Sequence, residues 1–208
     1  MTAQPSTMDL ATEERRDLAA YLRTLSDADW DAASLCAGWS VRDVVSHLVS
    51  YEELSTFGLL QRFVRGRIVR ANEVGVHDFA SYTPAQLVDF LEAHLRPRGL
   101  TSGFGGMIGL VDGTVHHQDI RRALGHPRTI PAERLERILP AVPGNPRLGA
   151  GKRIRGLHLR ATDVDWEHGS GPEVTGTGEA LLMAMTGRPA VLDELSGPGR
   201  PALAARLR

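Results

Sequence analysis

The sequence predicts a mainly α chain, a helical bundle followed by a small α/β unit, and three observations carry that prediction. Apolar residues recur at helical spacing in three stretches: Leu18, Tyr21, Leu22 and Leu25; Val41, Val44, Val45, Leu48 and Val49; and Leu87, Phe90, Leu91 and Leu95. A fourth stretch, Gly109–Gly125, is flanked and filled by Met107, Ile108, Leu110, Val111, Val115, Ile120 and Leu124, which cover most of its circumference and mark it as the central helix. Beyond the linker VPGNPRLGAG the period changes from helical to alternating. The expected organisation is therefore a bundle over residues 1–145 and a small α/β domain over 153–208.

Each element follows from local signals. The first helix runs from Thr7 to Leu25, after which SDADWDAASLCAGWS is a loop. Ser40 is placed to cap a second helix starting near Val41, with Asp43 at N3 favouring the positive end of the helix dipole. Tyr51–Arg70 reads as a helical continuation whose Arg62, Arg65, Arg67 and Arg70 form a solvated basic face; the second reading makes one of them a clamp for an anionic substrate. After a loop near Gly75–Tyr82, Thr83-Pro84 starts a helix that ends by Pro97. Gly99–Gly106 is glycine-rich but has neither the Gly-Lys-Ser/Thr nor the preceding strand of a phosphate loop. Gly125 stops the central helix as a C′ glycine, and a short helix follows from Pro131 to about Leu139. Leu157, Leu159 and Ala161 alternate with His158, Arg160 and Thr162, and Val164 and Trp166 with Asp165 and Glu167, giving one or two strands. GSGP and EVTG allow an antiparallel return, then a helix over about Gly178–Thr186 and a Gly-Arg-Pro turn close the unit.

Composition narrows the function classes. A formal charge of −1 with 42% apolar residues in a chain of 208 indicates neither nucleic acid nor membrane as partner. No apolar run approaches the roughly 18 residues of a membrane span, and MTAQPSTMDLATEERR lacks the regions of a signal peptide, so a cytoplasmic location is expected. The one cysteine, Cys36, leaves no internal disulfide and no multi-cysteine zinc motif; it reads as a buried small hydrophobe beside Trp39. Any metal site would have to use histidine and carboxylate.

The central helix offers such a set. At 100° per residue Asp112, His116 and Asp119 fall within about 60° of one another, whereas His117 is turned about 100° from His116 and has Gly113 four residues before it. Asp112 and His116 thus supply an oxygen and a nitrogen from adjacent turns, with Asp119 suited to orient an imidazole N–H. His47, on the border of the second helix's apolar stripe, completes a two-histidine, one-carboxylate set.

Two stretches, LCAGWSVRDVVSHLVSYEE and VDGTVHHQDIRRALG, resemble the paired signatures of the mycothiol-dependent maleylpyruvate isomerase family, a branch of the DinB-like metal-binding four-helix bundles. GLHLRATDVDW and GEALLMAMTGRPAVLDELSGPG resemble the family's C-terminal α/β domain, here in abbreviated form. The resemblance implies a divalent metal, zinc, held by His47, Asp112 and His116, with Asp112 standing where the isomerase has glutamate. It also implies a catalytic arginine from the C-terminal domain, for which Arg188 is the candidate, and mycothiol as thiol cosubstrate. The expected activity is S-transfer or isomerisation, in which a thiolate on the metal attacks a small electrophile, in a monomer or homodimer. A metal-dependent hydrolase using bound water and a non-catalytic metal-binding protein are the alternatives.

Overall fold

The computed structural model describes residues 4–66 and 70–207, and the chain divides into two compact units, Met1–Pro127 and Arg128–Arg208. The division precedes α8 (Ala132–Ile138), so that helix belongs to the second unit, whereas the sequence reading closes the bundle at residue 145.

The first unit is built on α1 (Thr7–Leu22), α3 (Val41–Val49), α6 (Pro84–Ala93) and α7 (Met107–Ala123), in which α1 and α3 each pack against both α6 and α7. This four-helix arrangement is mainly α, as the periodicity predicts. Its core gathers Leu18 and Leu22 of α1, Val44, Val45 and Leu48 of α3, Leu87 and Leu91 of α6, and Ile120 of α7. Local chemistry sets the ends: Ser40 and Thr83 accept from the N3 backbone N–H groups and are bonded in return by the N3 side chains of Asp43 and Gln86. Gly125, at φ 69°, closes α7 while His126 N–H reaches back to the Arg121 carbonyl. The short α2 (Asp27–Asp31) fills the first connection.

The stretch expected to continue as one helix from Tyr51 to Arg70 does not. A turn over 50–55 separates α3 from α4 (Thr56–Arg65), and α5 (Ala71–Asp78) then occupies part of the expected Gly75–Tyr82 loop. The physical reason lies at Glu52, whose carboxylate is drawn inward to Arg15 at 2.5 Å, the Arg98 N–H at 3.0 Å and the Thr101 hydroxyl at 2.7 Å. Helical continuation would tear three hydrogen bonds from a buried carboxylate. Arg62 is likewise buried at 4% exposure, bonded to the Ser50 carbonyl and stacked on Tyr51, while Arg65 and Arg70 are exposed. The solvated-face reading therefore fails for Arg62 and holds for those two; Arg67 lies outside the described residues.

The second unit sets a three-stranded sheet, order β2-β1-β3, beside α10 (Gly178–Met185), which is buried except at Glu179. β1 (His158–Ala161) pairs antiparallel with β2 (Glu167–Gly169) and parallel with β3 (Glu173–Gly176). The EVTG strand is thus not an antiparallel return on its predecessor. Apolar Val174 pairs with Leu159 on the buried face, leaving fully exposed β2 as the polar edge. Gly171 makes the passage between them possible, because at φ 126° a Cβ there would lie 2.3 Å from the Gly156 carbonyl oxygen. Short helices α9 (Ala150–Arg153) and α11 (Arg200–Ala205) complete the unit.

Candidate metal centre

The valine repeat of α3 buries one face of the helix and carries His47 in with it, leaving that residue 4% exposed. The imidazole is packed between Trp39 and Tyr51, at ring-centroid distances of 5.3 and 5.9 Å. From α7, Asp112 and His116 reach the same point. One Asp112 oxygen lies 3.5 Å from His47 Nε2 and the other lies 3.5 Å from His116 Nε2; the two imidazole rings meet edge to face at 4.9 Å. The three donor atoms all fall within 4.8 Å of one another.

That spacing is informative. Donors about 2.1 Å from a tetrahedral ion sit about 3.4 Å apart, which is longer than an N–H···O hydrogen bond. Each imidazole Nε2 stands at about the first value from its own Asp112 oxygen, within a set that spans up to 4.8 Å. A second group on the other nitrogen of His116 matches the hydrogen bond instead: His116 Nδ1 is 2.9 Å from Asp119 Oδ2, and the Cys36 thiol reaches the same oxygen at 3.1 Å. The Asp119 carboxylate accepts the Nδ1–H, leaving the lone pair of Nε2 directed at Asp112 and His47. Two nitrogens and a carboxylate with one side chain fixed by an outer carboxylate therefore fit a divalent ion. His47 lacks that support, since its buried Nδ1 has no hydrogen-bond partner among the described residues and its orientation comes from ring packing.

Electrostatics agree with the geometry. Burial alone would push the Asp112 carboxyl up, but the positive charges that His47 and His116 can carry outweigh it and hold the group well below the usual carboxylate range. Burial would likewise lower His116, yet Asp112 and Asp119 raise it well above the ordinary imidazole value. A carboxylate held ionised between two imidazoles is a charge arrangement that suits a cation.

The neighbouring His117 faces elsewhere. Its Nδ1 bonds Glu14 at 2.8 Å and its Nε2 accepts from Arg121 at 2.9 Å, with all of its surface buried. Because Nε2 accepts, the proton sits on Nδ1 and the ring is neutral.

The family models match almost the whole chain. The model described as mycothiol maleylpyruvate isomerase N-terminal domain matches residues 11–121, and that described as MDMPI C-terminal domain matches 126–206. The chain belongs to the mycothiol maleylpyruvate isomerase family. Two solved structures, the mycothiol-dependent maleylpyruvate isomerase and a variant of it with one histidine changed to alanine, share the fold. Each gives a TM-score of 0.59 at 14% and 16% identity respectively, over 92% of this chain and 91% of theirs. No curated protein sequence matches. Membership fits the mainly α bundle with a small C-terminal domain, and among the described residues no helix is long and apolar enough to cross a membrane.

Within this family member, His47, Asp112 and His116 converge and Asp119 backs His116. Arg188 lies in the second unit at the start of the turn Pro189–Glu194, where its Nη1 donates to the Thr186 carbonyl at 2.7 Å. Cys36 is where the sequence reading falls short: it packs with Trp39 at the edge of the core, as expected, yet the residue is only half-buried and its sulfur is bonded to Asp119. The signal for this lies in the turn LCAGWS. Gly38 at φ 79° and a Trp39 N–H to Cys36 carbonyl bond fold residues 33–40 back on themselves, and Leu35 N–H pins the turn to the Asp119 carbonyl of α7. An open cavity of about 320 Å³ is lined by this turn, Cys36 and Trp39 included.

Proposed function

We propose that the protein is a metal-dependent thiol transferase or isomerase that uses mycothiol against a small electrophile, with zinc held by His47, Asp112 and His116. The observation that carries this reading is the 3.5 Å spacing of Asp112 from two imidazole Nε2 atoms, one of them fixed by Asp119. Bound there, a divalent ion supplies Lewis acidity enough to deprotonate a coordinating thiol at neutral pH. The chain's own residues do the remainder. His47 and His116 bring neutral nitrogens and Asp112 one negative charge. Trp39 and Tyr51 pack against the His47 ring and keep water from its flanks. Cys36 is engaged with Asp119, so the nucleophilic sulfur is supplied by the cosubstrate, and the family's dependence on mycothiol supports that source.

Arg188 is proposed as the group that binds a carboxylate of the electrophile by bidentate hydrogen bonds. Arg188→Ala should keep the metal and the fold while losing turnover of a carboxylate-bearing electrophile by ten-fold or more, on the order of one charged hydrogen bond. If only the melting temperature falls and turnover per folded molecule does not, its role is structural. Thiol-dependent turnover of electrophiles, measured against hydrolysis by the metal-loaded protein without thiol, tests the larger reading. Mycothiol should be preferred over cysteine and glutathione, because only contacts beyond the sulfur can discriminate among them. Hydrolysis without thiol dependence would instead assign the site to bound water. The protein is proposed to act in the cytoplasm, as a monomer or homodimer.

A further inference from the structure

We propose that Asp119 and Cys36 are positioning residues for His116, forming a thiol-carboxylate-imidazole series that fixes which nitrogen of His116 is available to the ion. The inference rests on the metal reading above and concerns residues outside its ligand set. Asp119 is fully buried, one turn past His116 on the same helix, and a carboxylate buried there must be satisfied by donors. Two of these converge on a single oxygen, His116 Nδ1–H at 2.9 Å and the Cys36 S–H at 3.1 Å. The Cys36 sulfur stands 3.5 Å from His116 Nδ1, a spacing that two ligands of one ion could have, but both distances to Asp119 are too short for donors sharing a tetrahedral ion, so the group is read as hydrogen-bonded and Cys36 is not read as a ligand.

A thiol is a weak donor. By bonding the same oxygen it holds the Asp119 carboxylate in the orientation that meets Nδ1, without drawing much of the negative charge away from the imidazole, so the carboxylate still favours Nδ1–H over Nε2–H. The turn that carries Cys36 is held in place independently by the Leu35 N–H to Asp119 carbonyl bond and by its own Ser34 to Trp39 pairing, so the sulfur is presented by a fixed backbone. No covalent or redox step is involved.

The test is the affinity of the full chain for Co²⁺, measured by chelator competition alongside the optical spectrum and a thermal melt. Asp119→Asn, which keeps the shape and removes the charge, should weaken Co²⁺ binding by about 10- to 100-fold. Cys36→Val, which removes only the donor, should weaken it by about 3- to 10-fold, and Cys36→Ser should restore it to within about two-fold of wild type. A purely structural role would lower the melting temperature of Cys36→Val with no change in Co²⁺ affinity, and that result overturns the proposal. A sulfur-to-cobalt charge-transfer band in the untreated protein, lost in Cys36→Val, overturns it as well by making Cys36 a ligand. If Asp119→Asn does not fold, the two Cys36 variants decide alone. Failure of the metal reading has a different signature: the wild-type protein takes up no Co²⁺, and the positioning role falls with it.

Discussion

His116 and His117 are consecutive in sequence, both withdrawn from solvent and both hydrogen-bonded to carboxylates, yet they face different worlds. His116 looks toward α3 and has one nitrogen left over for an ion once Asp119 has taken the other. His117 looks toward α1 and has both nitrogens spent, one on Glu14 and one on Arg121, whose guanidinium in turn stacks over Tyr21 at 3.8 Å. The difference teaches that a histidine is made available for metal by what its second nitrogen does. Burial and a neighbouring acid do not distinguish the two.

The largest expected effect separates them directly. His116→Ala or His47→Ala should abolish stoichiometric metal uptake, at least a hundred-fold in affinity, because two donors do not hold an ion against water. His117→Ala should retain full uptake, with elemental analysis of the folded proteins as the measurement. Metal retained in both single-ligand variants would end the assignment.

Next in size, His117→Ala should lose stability where His116→Ala loses metal. Removing the ring strips Glu14 and Arg121 of their shared partner and leaves a cavity, a cost of about 2–4 kcal/mol read from denaturant midpoints. An unchanged midpoint would mean that the two charged residues re-pair without it.

A pH series sharpens the same contrast. His116 titrates above the ordinary imidazole value of 6.5 in the folded state, so its contribution to metal-free stability is complete below 6.5 and is lost as pH rises through the raised value. Asp112 titrates below the ordinary 3.8, so its contribution is present above 3.8 and is lost as pH falls through the lowered value. The metal-free protein should therefore gain most from this pair between those two limits. Metal affinity should run the other way on the alkaline side, rising with pH as the competing proton leaves His116. Melts with and without ion from about pH 5 to about pH 9 check the two alkaline-side signs against His116→Gln, for which the slope should flatten, and a metal-free series carried down to about pH 2 checks the acid side.

The smallest effect is expected at Gly113, between the two faces. A Cβ there would meet nothing closer than Glu14 Cγ at 3.6 Å, an ordinary van der Waals contact. Gly113→Ala should then stabilise α7 by up to about 1 kcal/mol and leave metal uptake alone. Destabilisation would show that the Glu14 side of the helix tolerates no added volume.

What was legible in the sequence was what is local or periodic. Ser40 with Asp43, Thr83 with Pro84, and Gly125 announce their caps within four residues, and the stripe of Asp112, His116 and Asp119 follows from helical geometry. His117 could be set apart by angle, though its partners could not be named, because Glu14 comes from a helix at the far end of the unit's sequence. Contacts between distant segments were illegible for the same reason. Nothing in the spacing brings Cys36 to Asp119, draws Glu52 inward to Arg15, or buries Arg62 among basic neighbours that stay exposed. The parallel pairing of Glu173–Gly176 with His158–Ala161 is also non-local, and the turn residues between them point as readily to a hairpin.

His47 comes from α3 and the other two donors from α7, with α4, α5 and α6 intervening in the chain. An unfolded chain offers no comparable set, so an ion bound there is a ligand of the native state alone. At free ion a hundred-fold above its dissociation constant, that preference adds about 2.7 kcal/mol to the stability of the bundle, a sizeable share of what a small domain possesses. Metal supply would then govern how much of the protein survives proteolysis, so that a cell short of the ion holds fewer copies as well as idle ones.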